Sequence, residues 1–92
     1  MPSLFMVCGY KVYFWSNKNG EPIHVHIAKG KPSAHGTKVW LTKSGGCILA
    51  HNGSQIPDRE LAELMEFISA QFFMICAAWK KFFLLDEIKF YC

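Results

Sequence analysis

At Pro57 the hydrophobic period of the chain changes, and that change limits the possible folds more than any other feature. Before it, apolar residues alternate with polar ones over short runs, as they do along half-buried strands. After it, Leu61, Leu64, Met65, Ile68, Phe72, Ile75, Cys76, Trp79, Phe82 and Phe83 recur at three- and four-residue intervals. Such a stripe belongs on one side of a helix packed against something flat. The expected fold is therefore α+β: an antiparallel sheet of four or five strands covered by one long, kinked C-terminal helix or by a helix pair.

Ninety-two residues make a single domain with one modest core. Residues 1–53 form the strand-rich part, 57–83 the helical segment and 84–92 a tail that alternates enough for a terminal strand. Strands are expected at residues 4–7, 10–16, 23–27, 37–42 and 47–50. Gly9, the Asn and Gly residues of 16–20, and Ser44-Gly45-Gly46 supply turns between them. Residues 51–54 read as another loop, and residues 29–32 break the strand pattern. Pro57, Asp58 and Glu60 mark a helix start, a proline tolerated in the first turn with acids at the positive end of the dipole. A straight helix over 57–83 would be about 40 Å long at 1.5 Å per residue. That is long for so small a domain, so a kink is expected near residues 69–71.

Half of the residues are hydrophobic, so the chain is expected to fold into a packed globule. Ten basic against seven acidic side chains give a mild excess that tolerates an acidic partner without requiring one. Cys8, Cys47, Cys76 and Cys92 contain no C-x-x-C pair, and the opening residues lack the basic start of a signal peptide. A reducing cytoplasm with free, mostly buried thiols is the expectation. The apolar-rich run 67–79 is too short and too broken to span a membrane.

The densest chemistry lies in Gly20-Glu21-Pro22-Ile23-His24-Val25-His26-Ile27. Alternation puts Ile23, Val25 and Ile27 on one face of a strand and both imidazoles on the other. Two neutral imidazoles on one side of a strand can converge on a divalent metal, so His24 and His26 are candidate ligands. His35, His51, Glu21 or Asp58 would have to complete the set. The alternative is a half-exposed sheet face on which both histidines bond to neighbours or water. If the strands form a meander, Lys11, Tyr13, Trp15, His24, His26, Lys38 and Trp40 share a face turned away from the helix. Such a face suits a protein partner, since Trp and Tyr favour interfaces; alternatively, its aromatics pack against the terminal strand or a second subunit. It could also stack bases and neutralise phosphates, but the small charge excess ranks nucleic acid second. A second candidate surface is the far side of the helix, where Phe67, Ala70, Phe73 and Met74 fall off the stripe. There the helix is either covered twice or meets another chain, and a homodimer is one way to do so.

Catalysis finds little support. No G-x-S-x-G, P-loop or H-E-x-x-H occurs, and Cys8 and Cys47 read as core residues beside strands. Two imidazoles do not define a reaction.

These residues also carry a resemblance. Gly9-Tyr10, Val12-Tyr13-Phe14-Trp15-Ser16-Asn17, Gly20-Glu21-Pro22-Ile23-His24-Val25-His26, Lys38-Val39-Trp40-Leu41 and the helix from Asp58-Arg59-Glu60-Leu61 through Trp79 to Phe82-Phe83 resemble the small prokaryotic domain-of-unknown-function family 4160. The resemblance covers residues 2–83. The family's signature looks like Pro-Pro-His-x-His, which Pro22, His24 and His26 fit and Ile23 does not. Relatives carry charged residues where this chain has Phe72, Phe73 and Met74, and they end soon after the position of Phe83. The resemblance implies an α+β fold without an assigned activity. It also implies companionship with small proteins of toxin–antitoxin-like or mobile-element modules. The expected role is a non-enzymatic protein-interaction module, with a His-based metal-dependent hydrolase or nuclease as the alternative.

Overall fold

Val7 and Tyr10 face each other across a two-residue turn, Cys8-Gly9, in which both residues have positive φ (50° and 80°). This is the turn geometry whose twist matches that of paired strands, and glycine adopts it without steric cost. From this hairpin the sheet grows by neighbours alone. A computed structural model describes residues 3–15, 20–30 and 36–92, and it contains β1 (Ser3–Val7), β2 (Tyr10–Tyr13), β3 (His24–Ala28), β4 (Thr37–Leu41) and β5 (Cys47–Asn52). The strands lie in the order β1-β2-β3-β4-β5, each antiparallel to the next.

The register sorts the side chains into two faces. Phe5 opposes Val12, Val12 opposes Ile27, Val25 opposes Val39, and Val39 opposes Leu49. Of these, Val12, Val25, Ile27 and Val39 join Tyr10, Phe14, Ile23 and Leu41 in the buried core, with Phe5 packed against it, while Leu49 is exposed. A bulge between Lys38 and Val39 lets β5 continue to Asn52, so His51 lies on a strand and not in the expected loop. Asn52 explains the difference. Its side-chain oxygen accepts from Thr37 Oγ1 at 2.7 Å and from the Ile56 amide at 3.0 Å, and its amide donates to Ile56 O at 2.9 Å. That network ends the strand and fixes the entry to the helices.

The helical segment is a pair, α1 (Asp58–Ala70) and α2 (Phe72–Phe83), bent by 70°. Gln71 leaves helical geometry (φ −101°, ψ 18°), and its amide is shared between the carbonyls of Phe67 and Ile68 at 3.1 Å each. The longest dimension of the molecule is 35 Å, so a straight helix of about 40 Å would overhang the sheet. The bend keeps Phe72, Ile75, Cys76 and Trp79 of α2 in the same core as Leu61, Leu64 and Ile68 of α1. Two residues depart from the expected sides of the segment. Phe67 is half-buried and packs edge-on against Phe5 of β1, ring centroids 5.1 Å apart, so it faces the sheet and not the far side. Phe82, placed on the buried stripe, is largely exposed.

Leu84 ends α2 in the left-handed conformation (φ 54°), and the Leu85 amide bonds to Lys80 O at 3.0 Å. The tail then crosses the end of the sheet, where β3 begins and β4 has just finished. The Ile23 amide donates to Lys89 O at 2.8 Å and the Lys43 amide to Cys92 O at 3.0 Å. Leu85, Ile88 and Phe90 pack against the core, Phe90 stacking on Phe72. The alternation expected of the tail is present, but the tail forms no strand of the sheet.

Candidate functional site

Strand β3 is central, so its outer-face residues have neighbours on both sides. Tyr13, His26, Lys38 and His51 form one row across the sheet, and His24, Trp40 and Ile48 form the next. Lys11 and Ala28 are paired beyond them. The residues expected to share a face therefore do so, with Ile48 and His51 as additions. Trp15 joins them through ring contacts with Tyr13 and His26.

The rings make a continuous cluster. Tyr13 stacks on His26 at 5.5 Å between centroids, and His26 meets His24 nearly at right angles at 5.0 Å. His24 also touches Trp40 at 5.4 Å and Trp79 of α2 at 5.3 Å. Trp40 in turn lies flat against Tyr91 of the tail, 5.0 Å away with only 7° between the planes. Lys38 Nζ sits 4.2 Å from the Trp40 ring centre and 3.3 Å from Glu21 Oε1. A cation over an indole with a carboxylate beside it holds both side chains in place.

The expectation of a half-exposed face turned away from the helix needs correction, whereas packing of its aromatics against the C-terminal segment is what Trp40 and Tyr91 do. His24 and Tyr13 are fully buried and His26 is only 5% exposed. Two elements distant in sequence contribute: α2 through Trp79, and the tail through Tyr91. Trp79 and Tyr91 were not among the expected site residues. The stripe periodicity announced Trp79 as buried, but nothing local announced that it would reach His24.

The proposed metal chemistry meets a definite geometry. His24 Nδ1 lies 2.8 Å from Pro22 O; a carbonyl cannot donate, so that nitrogen carries a proton. Nε2 is then the nitrogen through which His24 would have to bind a metal. His51 is exposed on β5, Asp58 is exposed at the start of α1, and Glu21 is paired with Lys38. His35 lies outside the described residues. Among the described residues no three His, Cys, Asp or Glu side chains come together to hold an ion.

The thiols divide evenly. Cys8 and Cys92 are exposed, against the expectation of mostly buried cysteines, because Cys8 occupies a turn and Cys92 the tail. Cys47 is partly buried, with its sulfur 3.3 Å from Met65 O and from Ser69 Oγ; burial raises its pKa, and the Ser69 bond opposes that. Burial likewise pushes the Cys76 thiol up, against the lowering effect of Lys80. Neither is activated as a nucleophile. Tyr10 donates to Glu60 at 3.2 Å; burial, then the Glu60 charge and this bond, raise its pKa. These are structural positions that join β2 and β5 to α1.

The other candidate surface lies on α2. Phe73 is 84% exposed and Met74 58% exposed. Around the helix from them, Leu4, Phe14, Ala78, Lys81 and Phe82 line an apolar groove of about 400 Å³ between β1 and α2. Among the described residues no single helix is long and apolar enough to cross a membrane.

No curated protein and no solved structure matches the chain. The family model described as "Domain of unknown function (DUF4160)" matches residues 9–80, which takes in the whole histidine strand, the bend and α2 as far as Lys80. That span is most of the molecule, and it leaves the tail that stacks on Trp40 outside the match. The chain belongs to this domain-of-unknown-function family, DUF4160.

Proposed function

We propose that this chain is a small non-enzymatic protein-interaction module whose contact surface is the outer face of α2. The observation that carries the proposal is Phe73, a large aromatic side chain almost fully in water with Met74 beside it. Burying such a side chain is worth about 1.5–3 kcal/mol, so a partner that covers it gains affinity directly. Aromatic and Met side chains are also the residue types enriched where proteins meet. The histidine face carries less of this reading. Its rings are packed against one another, Lys38 is paired with Glu21, and one side of Trp40 is taken by Tyr91.

The test is affinity capture with the full chain as bait, beside a Phe73→Asp variant shown to be folded by circular dichroism. The captured partner should be depleted at least about tenfold with the variant, corresponding to a loss of about 1.4 kcal/mol. Equal capture by both proteins would overturn the proposal.

A further inference from the structure

Phe82 belongs by spacing to the buried stripe of the helices, yet it is 45% exposed. Its ring instead walls the groove between β1 and α2, which Leu4, Phe14, Ala78 and Lys81 also line. Phe14 is the floor. It is buried, and ring contacts with Trp79 at 5.2 Å, Phe82 at 5.4 Å and Phe83 at 5.6 Å hold it in place. A floor fixed by the core is formed before any ligand arrives. The volume of about 400 Å³ is that of a small-molecule site, where apolar walls are joined by a few polar groups.

Four of the five lining side chains are apolar, and the fifth, Lys81, is exposed. A lysine lays its methylene stem along apolar surface and keeps its ammonium in water, so Lys81 extends the wall and sets a positive charge at the rim. Among the described residues no carboxylate lies within ion-pair distance of that ammonium. The dipole accounts for one lysine in the last turn of α2, but Lys80 and Lys81 together exceed the roughly half a negative charge of that end. Walls and rim together match a hydrocarbon chain with an anionic head. A peptide strand fits less well. β1 is an edge strand, but the bulge between Ser3 and Phe5 interrupts its ladder at Leu4, beside the groove. The lining side chains also offer only one polar group to the amides and carbonyls that a peptide would bury, whereas a hydrocarbon chain needs none.

We propose that the groove between β1 and α2 binds a single-chain amphiphile with a carboxylate head, its chain against Leu4, Phe14, Ala78 and Phe82 and its carboxylate at the Lys81 ammonium. The site does not depend on the reading of Phe73. Calorimetric titration of the full chain at low salt tests it, with dodecanoate, decanoate and dodecyltrimethylammonium as probes. Two variants stand beside the parent: Lys81→Glu, which changes an exposed side chain, and Ala78→Phe, which fills the groove and is checked for folding by circular dichroism. Dodecanoate should bind with a Kd below about 1 mM and about tenfold more tightly than the cationic probe. Decanoate, two methylenes shorter, should bind about tenfold more weakly than dodecanoate. Lys81→Glu should reverse the order of the two head groups, and Ala78→Phe should weaken both probes. Failure of dodecanoate to bind below about 1 mM, equal binding of the two head groups, or an order that Lys81→Glu leaves unchanged would overturn the proposal. Binding that a folded Ala78→Phe variant retains in full would also overturn it, by placing the amphiphile elsewhere. So would light scattering that finds the parent self-associated and closed to both probes, which would give the groove to a second copy.

Discussion

Strand β3 and helix α2 distribute polar and apolar groups in opposite ways. β3 hides two histidines along with its aliphatic residues, and all five of its positions are buried. α2 shows a phenylalanine and a methionine to water. Buried polar groups and exposed apolar ones are the informative exceptions to ordinary partitioning. The two exceptions have different causes. At β3, Pro22 O holds one imidazole and stacked rings enclose both, so their burial belongs to the fold. At α2 no described residue covers Phe73 or Met74, and both stand exposed.

Three substitutions probe this contrast. Trp79→Ala should cost the most, about 3–5 kcal/mol, because the ring is buried against Phe14, Phe83 and His24 at once. Urea denaturation measures it; a loss below 1 kcal/mol would show, on the scale of buried aromatic truncations, that α2 does not seal the histidine face. Tyr91→Ala should cost about 1 kcal/mol, the worth of one stacked pair. It should also raise the exposure of Trp40, read as a red shift in tryptophan fluorescence, and an unchanged spectrum would detach the tail from this face. Phe73→Ala should alter the stability of the isolated chain by no more than about 0.5 kcal/mol. A larger loss, seen in the same urea titration, would move Phe73 into the core and remove the contrast.

Much of this could be read before any coordinates. Alternation puts Ile23, Val25 and Ile27 together on one face, and all three are buried in the core; the change of period at Pro57 marks the helices. Chain length against domain size was enough to expect the bend near Gln71. The side-chain sets on the two faces of β3 followed from the period of two. What did not follow was the contact of Trp79 with His24, made from far along the chain. Phe67 was misplaced for a related reason: helical phase gives the angle of a side chain but not how far the sheet extends beneath it, and Phe5 on β1 widens that sheet. Asn52-Gly53 has the composition of a turn, yet His51 lies on β5. A bulge and the bonds of Asn52 carried the strand further.

The neighbour-to-neighbour order of the strands also bears on how the molecule is assembled. Each sheet pairing joins segments adjacent in sequence, so each closes a short loop and loses little chain entropy. Such topologies have low contact order and fold quickly. The bond from the Ile23 amide to Lys89 O is the opposite case, since it closes a loop of nearly three-quarters of the chain. The tail is therefore the last segment expected to settle and the first to lift away. Hydrogen exchange should find the Ile23 and Lys43 amides opening well before those in the middle of β3.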